Sequence, residues 1–495
     1  MNKNIASYSI PPGLRISLAF VLLAIFCAVM ADLSINTRTP WQEALRLGQG
    51  FISPTWLPIN TLLEALFKTL AFAILAVSLA AGLGFVLSFG FHHRSIRAVC
   101  ASTRAVHELF WGLLFIQVFG LHPLVGILAI AIPYSGVFAK VFAEIIEENV
   151  QSNAIILPPN SDRFSQFWYA KWPQVKDPFS SYFLYRFECG LRSSTVLGFI
   201  GLPTLGFHLE SGFMQGDYAT VASLLIVFYA LIASMPYWAK LQLFPVSLCV
   251  ALLYLWEPVS ANFVFIASLL HDTLPLPIRT GQGELWLWLS ELGKNQIVPG
   301  IWNTVLVTQV VLVCTGLFAL VCFPFLSKLF ANTPTRASTH LLMVVLRSTP
   351  EFILAFLFLM FWGPSHLPAI AALTLHNGAI VAHLIAKHSQ NLNLRSDAST
   401  GCNRYFYECL PRVYGQFLAF LCYRWEVIMR ETAIVGILGI HTLGFFIDSA
   451  FESFRLDVAL ILIVISALMN ISTDAVARRL RRQLHLSRTP RWSST

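Results

Sequence analysis

Long apolar blocks that do not alternate with polar residues constrain this chain more than any other feature. Residues 70–89, LAFAILAVSLAAGLGFVLSF, and 303–322, NTVLVTQVVLVCTGLFALVC, are typical. A helix needs about 20 such residues to cross a hydrocarbon core. Lipid offers no partners to backbone N–H and C=O groups, so a spanning segment must be a helix or part of a closed barrel. Barrel strands alternate apolar and polar positions; these blocks do not. Composition agrees, with 56% hydrophobic and only 12% charged residues, where soluble domains carry about a quarter charged. The expected fold is all-α and polytopic.

About twelve spans can be laid out. The first six fall near 14–33, 66–91, 105–120, 122–143, 190–212 and 218–239. The second six fall near 241–258, 303–327, 342–362, 366–387, 417–445 and 457–476. The first block follows Lys3 and Arg15 as a signal peptide would, but the small-residue cleavage pattern after it is poor, so it reads as an uncleaved span. Lys and Arg concentrate in alternate connections: Arg94, Arg97 and Arg104, then Arg163, Lys171, Lys176 and Arg186, later Arg395, Arg404 and Arg412, and finally the tail from Arg478. The long segments 34–60 and 259–300 hold only Arg38, Arg46, Arg279 and Lys294. That asymmetry predicts both termini on the cytoplasmic side of a plasma or inner membrane. It also accounts for the formal charge of +8 without nucleic acid. The nine cysteines form no C-x-x-C pair and lie in or beside apolar blocks, so neither a disulfide framework nor a metal site is expected.

The chain repeats itself. YRFECGLRSSTVLGFIGLPTLG at 185–206 and YRWEVIMRETAIVGILGIHTLG at 423–444 share nine of 22 positions without a gap. The offset pairs Arg186 with Arg424, Glu188 with Glu426, Arg192 with Arg430, Gly198 with Gly436 and Gly201 with Gly439, and also Pro173 with Pro411. Upstream, Arg104 and Glu108 match Arg347 and Glu351. The expected organisation is therefore two parallel six-helix repeats, 1–240 and 241–480, followed by a basic tail, 481–495. Parallel repeats are related by an axis along the membrane normal, and a pathway on that axis is the natural place for function.

Glu188 and Arg192, like Glu426 and Arg430, stand four apart and share a helix face. They read either as salt bridges fixing a helix end or, with Arg186 and Arg424, as the polar lining of an inner gate. Gly198-x-x-Gly201 and Gly436-x-x-Gly439 read either as close helix packing or as bendable backbone beside a pathway. The pairs Arg104/Glu108, Arg347/Glu351 and Glu64/Lys68 read as ion pairs within a helix, and His208, His376, His383 and His441 as packing residues. No phosphate-binding loop ending in Lys-Ser/Thr occurs, so the chain carries no ATPase of its own. No catalytic constellation recurs with the repeat, and no cofactor is expected.

Each half resembles a phosphonate-type permease of the binding-protein-dependent ABC importers. The residues that carry the likeness are RAVHELFWGLLFIQVFG at 104–120, WPQV at 172–175, LRSTPEFILAFLFLMFWG at 346–363, LPRV at 410–413 and the two Tyr-Arg-x-Glu elements. The resemblance implies a permease for phosphonate or a related phosphorus oxyanion. It implies as partners cytoplasmic ATPase subunits, as a pair, and a periplasmic or extracellular substrate-binding protein. It also implies a cytoplasmic coupling helix before each Pro motif, which would place Asn160, Arg163, Trp172 and Pro173 in the first ATPase-coupling loop and Ala398, Arg404, Leu410 and Pro411 in the second. The glycine usual in such loops is replaced by Asn160 and Ala398. Fused iron or thiamine permeases share this architecture. A major-facilitator carrier also has two six-span halves, but its long cytoplasmic joint and its Gly-x-x-x-Asp-Arg loop are absent; the chain reads FHHRSIRAVCASTR at 91–104.

Overall fold

The structure, a computed structural model, describes residues 11–37, 39–152, 162, 165–258, 271–281, 284–392, 394–395 and 401–484. Every regular element among them is helical. In chain order the principal helices are α1 (Pro12–Met30), α2 (Pro40–Ile52), α3 (Ile59–Phe89), α4 (Arg94–Ala105), α5 (Glu108–Phe119) and α6 (Pro123–Ser152). Next come α7 (Trp172–Val196), α8 (Leu205–Gln215), α9 (Tyr218–Trp238) and α10 (Phe244–Tyr254). The remainder are α11 (Val298–Leu326), α12 (Thr333–Ser348), α13 (Glu351–Trp362), α14 (His366–Gln390), α15 (Leu410–Ile434), α16 (Leu443–Glu452) and α17 (Leu456–Gln483).

Seven of the described helices are long and apolar enough to cross a membrane, and ten segments qualify when each of three bent pairs is taken as one. The expected spans 105–120 and 342–362 are two of those pairs, α4 with α5 at 90° and α12 with α13 at 96°. The bends have a local cause. Val106 and His107 are extended, and the His107 ring accepts a hydrogen bond from the Leu109 N–H, capping the new helix. In the second bend Pro350 takes the capping position, and its missing N–H and fixed φ stop α12 and start α13. Arg104/Glu108 and Arg347/Glu351 are thus split by a bend, which corrects their reading as neighbours on one helix face. The span expected near 190–212 is the charged helix α7 running into a reversal, and the one near 241–258 has 11 helical residues in α10, about half a hydrocarbon core in length.

The chain forms two compact units. One comprises Met1–Arg38, Leu292–Phe446 and Ser472–Trp492; the other comprises Thr39–Glu291, Ile447–Ile471 and Ser493–Thr495. In the first, α11 packs along α14, burying Val311, Leu312, Ala369, Ala372 and Leu373. Helix α1 lies against α11, with Cys27 in that core and Phe20 edge-on to Trp425 at 5.1 Å. The chain after α1 is strapped across the α13–α14 turn. Asn36 N–H donates to Trp362 O at 2.7 Å, its side-chain amide donates to Pro364 O at 2.9 Å, and His366 N–H donates to Asp32 O at 2.9 Å. The Ser34 hydroxyl and N–H hold the exposed Asp32 carboxyl below its usual range.

In the second unit α3 and α6 approach so closely that a Cβ on Gly84 would lie 2.4 Å from Phe138 Cβ. Phe72, Phe138, Phe187 and Phe228 are fully buried there. Helix α10 packs on α3. The α2–α9 contact is fixed by Tyr218, whose hydroxyl donates to Glu43 at 2.8 Å and whose carbonyl abuts Gly50. The first part of α17 belongs to this unit, where Asn470 donates to Ala105 O at 2.7 Å. Between helices in lipid such close contacts and hydrogen bonds replace the hydrophobic effect as the force for association.

Candidate functional site

The repeated element builds the same backbone reversal twice. Helix α7 ends in a single 3-10 turn, Leu197–Ile200, followed by Gly201 at φ 87° and a short extended stretch to α8. Helix α15 ends in the 3-10 turn Val435–Leu438, followed by Gly439 at φ 82° and a like stretch to α16. The left-handed conformation at these two positions is why glycine recurs. Gly198 and Gly436 serve another purpose. A Cβ on Gly198 would lie 2.1 Å from Phe207 N, and one on Gly436 2.3 Å from Phe445 N. The close approach is made within the reversal itself, by chain eight or nine residues on. Each reversal is tied to a long helix by a threonine. Thr69 on α3 donates to Ala65 O and accepts the first N–H of α8, from Leu205, at 2.9 Å. Thr304 on α11 donates to Gly300 O and accepts from Leu443, the first residue of α16, at 2.9 Å.

The charged residues lie one to three turns before the reversals. Arg192 faces Glu188 at 3.9 Å and donates to Cys189 Sγ at 3.3 Å. Arg186 donates to the Tyr182 hydroxyl at 2.8 Å, and its guanidinium lies 5.3 Å from the ring centre of Tyr134, 5.6 Å from that of Tyr182 and 5.9 Å from that of Tyr185. It is held in a cage of tyrosines. Arg424, Glu426 and Arg430 occupy the matching turns of α15, but the positions matching Tyr134 and Tyr182 are Asn377 and Phe420, so that cage is not repeated.

Before the charged turns, π-helical turns at Gln166–Lys171 and Arg404–Cys409 lead without a break into α7 and α15. Trp172 and Pro173, and Leu410 and Pro411, therefore form the first turns of long helices. Pro173 and Pro411 fall at the join where the π-turn gives way to the α-helix, and neither has an N–H to donate there. Trp172 packs among Phe85, Phe167 and Trp168, and Arg404 donates to Leu329 O at 3.2 Å. Asn160, Arg163 and Ala398 lie outside the described residues.

One further pair of clusters escapes the sequence patterns above. In the second unit Ser193 donates to Glu108 at 2.7 Å, Tyr134 pairs with Ser193 at 2.9 Å, and His107 Nε2 is 3.1 Å from the other Glu108 oxygen. In the first unit the positions matching Glu108, Ser193 and Tyr134 hold Glu351, Glu431 and Asn377. There Asn377 donates to Glu431 at 2.7 Å, and ligand atoms of Glu351, His376 and Glu431 all lie within 4.8 Å of one another. The two offsets of the repeat, followed residue by residue, predict the equivalence; His376 has no such signal, because its counterpart is Pro133.

The helices and their apolar lengths define a polytopic helical membrane protein. Residues 316–485 match the family described as binding-protein-dependent transport system inner membrane component. The phosphate-import permease protein PhnE of Mycolicibacterium smegmatis is 24% identical over 439 residues, covering 80% of this chain and 81% of that one. The phosphite transport system permease protein PtxC of Stutzerimonas stutzeri is 27% identical over 229 residues, covering 44% of this chain and 83% of its own length. Residues 316–485 thus match the inner membrane component of binding-protein-dependent transport systems, and most of the chain is similar to a permease named for phosphate import.

Proposed function

We propose that this single chain supplies both permease halves of an ABC importer for a phosphorus oxyanion: phosphonate, phosphite or phosphate. The observation that carries the reading is the match to a phosphate-import permease along 80% of this chain and 81% of the relative. The duplication supports the fused arrangement. A phosphite permease aligned over 83% of its length takes up only 44% of this chain, and the same reversal, threonine tie and π-helical lead-in are built at matching positions. The two repeats, 1–240 and 241–480, are the units of that duplication. Both termini face the cytoplasm, in keeping with the distribution of Lys and Arg.

In this reading ATP is hydrolysed by a separate pair of subunits that dock on the segments leading into α7 and α15 together with their first turns, and a substrate-binding protein delivers the anion from the other side. Asn160, Arg163, Trp172, Pro173, Ala398, Arg404, Leu410 and Pro411 belong to those docking segments. Arg186, Glu188, Arg192, Arg424, Glu426 and Arg430 border the pathway on the side of the reversals, where Gly198, Gly201, Gly436 and Gly439 hold the backbone tightly folded. The test is reconstitution with the ATPase and the binding protein in proteoliposomes. Phosphonate, phosphite or phosphate should stimulate ATP hydrolysis and uptake together. Asn160→Glu combined with Ala398→Glu should abolish the coupling while membrane insertion survives. Uptake driven by a proton gradient without ATP would overturn the reading in favour of a secondary transporter.

A further inference from the structure

The cluster of Glu351, His376 and Glu431 lies inside one compact unit. His376 is 3% exposed and Glu431 7%. Its geometry is oriented from behind. The His376 Nδ1 lies 3.0 Å from Thr349 O. A carbonyl only accepts, so Nδ1 carries a proton, and in the neutral ring the lone pair is on Nε2. That nitrogen faces Glu351 Oε2 at 4.0 Å. In that form the lone pair faces a carboxylate, and a cation between the two, a metal ion or a proton, makes the contact favourable. Glu431 is oriented in the same manner, by the fully buried Asn377, whose amide also donates to Leu373 O at 3.0 Å. Hydrogen bonds that fix the tautomer of a histidine and the pose of a carboxylate are what ligands of a metal ion require.

The matching cluster of the other unit supplies the contrast. There the place of Glu431 is taken by Ser193, whose hydroxyl donates to Glu108, and the place of His376 by a proline. There one carboxylate accepts from a serine hydroxyl and faces a histidine. The second copy has instead gathered two carboxylates and an imidazole.

We propose that Glu351, His376 and Glu431 bind a divalent transition-metal ion, Zn²⁺ by preference, inside the α13–α14–α15 bundle. Two carboxylate oxygens and one imidazole nitrogen, with no thiolate, suit Zn²⁺ and also admit Co²⁺ and Mn²⁺. The two negative charges balance a divalent cation. Ligand atoms about 2.1 Å from a tetrahedral ion lie about 3.4 Å apart, so the present spacing of up to 4.8 Å must close by about 0.7 Å at each ligand. Three protein ligands leave a position for water.

The experiment uses the full chain, purified, stripped with EDTA and titrated with Co²⁺. One equivalent should bind with a visible d–d spectrum, and Zn²⁺ should displace it. Mn²⁺ bound at the same stoichiometry should show spin-echo modulation from one imidazole nitrogen. His376→Gln and Glu431→Ser, the latter installing the residue of the first copy, should lose the Co²⁺ band, whereas Glu64→Gln should keep it. Asn377→Ala should weaken binding about 10- to 100-fold, as loss of an orienting partner does. The two wild-type measurements stand even if a variant fails to fold. No stoichiometric binding to the folded wild type would mean that neighbouring charges and protons alone hold the two glutamates, and it would overturn the site. So would Mn²⁺ without nitrogen coupling, or Co²⁺ binding that survives in folded His376→Gln and Glu431→Ser.

Discussion

At the scale of single residues, glycines set the limits of this fold. A Cβ on Gly206 would fall 1.7 Å from Thr195 O, and one on Gly444 1.6 Å from Ala433 O. These are backbone atoms in the preceding helix and cannot swing aside. Gly206→Ala and Gly444→Ala should each destabilise by more than about 4 kcal/mol, the range reserved for severe packing or backbone conflict. The readout is loss of folded protein from the membrane fraction. Gly48 is exposed on α2, and a methyl group there would meet nothing within 4 Å, so Gly48→Ala should be neutral or gain up to about 1 kcal/mol. Equal loss from all three would show that helix propensity rather than close approach governs these positions. The repeat marks Gly206 and Gly444 as identities, and helical spacing makes Gly198 and Gly201, with their counterparts, packing or bending residues. The close partners of Gly198, Gly206, Gly436 and Gly444 are mainly backbone atoms on the far side of a reversal, and spacing along one helix carries no information about a chain that turns back on itself.

Elements show the same mixture. Helix existence was legible because an apolar block of 20 residues has few alternatives. The bends between α4 and α5 and between α12 and α13 were not, because the four-residue spacing of Arg104/Glu108 and Arg347/Glu351 reads as one helix face and two different residues, His107 and Pro350, cap the new helix. The threonine ties were equally hidden. Thr69 and Thr304 sit mid-helix in apolar runs, where a hydroxyl ordinarily bonds back to its own helix; each does so and also accepts the leading N–H of a neighbouring helix. Valine has nearly the same shape without the acceptor. Thr69→Val and Thr304→Val should each cost about 1–3 kcal/mol, the penalty for a buried donor left without a partner. Thermal unfolding of the purified protein measures it, and serine at either position should restore most of the loss. A valine variant as stable as the parent would show that these N–H groups find another acceptor.

For the whole molecule, the boundary of the duplication and the boundaries of the compact units are different things. The proposed halves meet near Lys240, yet α1 from the first packs on α11, and α10 from the second packs on α3. The first part of α17, near the end of the chain, also belongs with α3 and α6 in one unit. The α1 exchange is pinned by the strap across the α13–α14 turn, where a Cβ on Gly363 at φ 77° would already crowd Asn36 at 3.0 Å. A chain divided at Lys240 therefore yields two fragments, each holding a helix that the other needs. Expressed alone, residues 1–240 should leave α3 without α10 and Ala105 O without its Asn470 donor, and should be degraded or aggregate. Expressed together with 241–495, the fragments should co-purify, and Asn36→Ala, which removes the bond to Pro364 O, should reduce the yield of the pair. The measurement is size-exclusion chromatography and thermal unfolding of each fragment and of the mixture. A monodisperse 1–240 fragment that unfolds at the temperature of the intact chain would mean that each half is self-sufficient and that the exchanged helices contribute little to the stability of either unit.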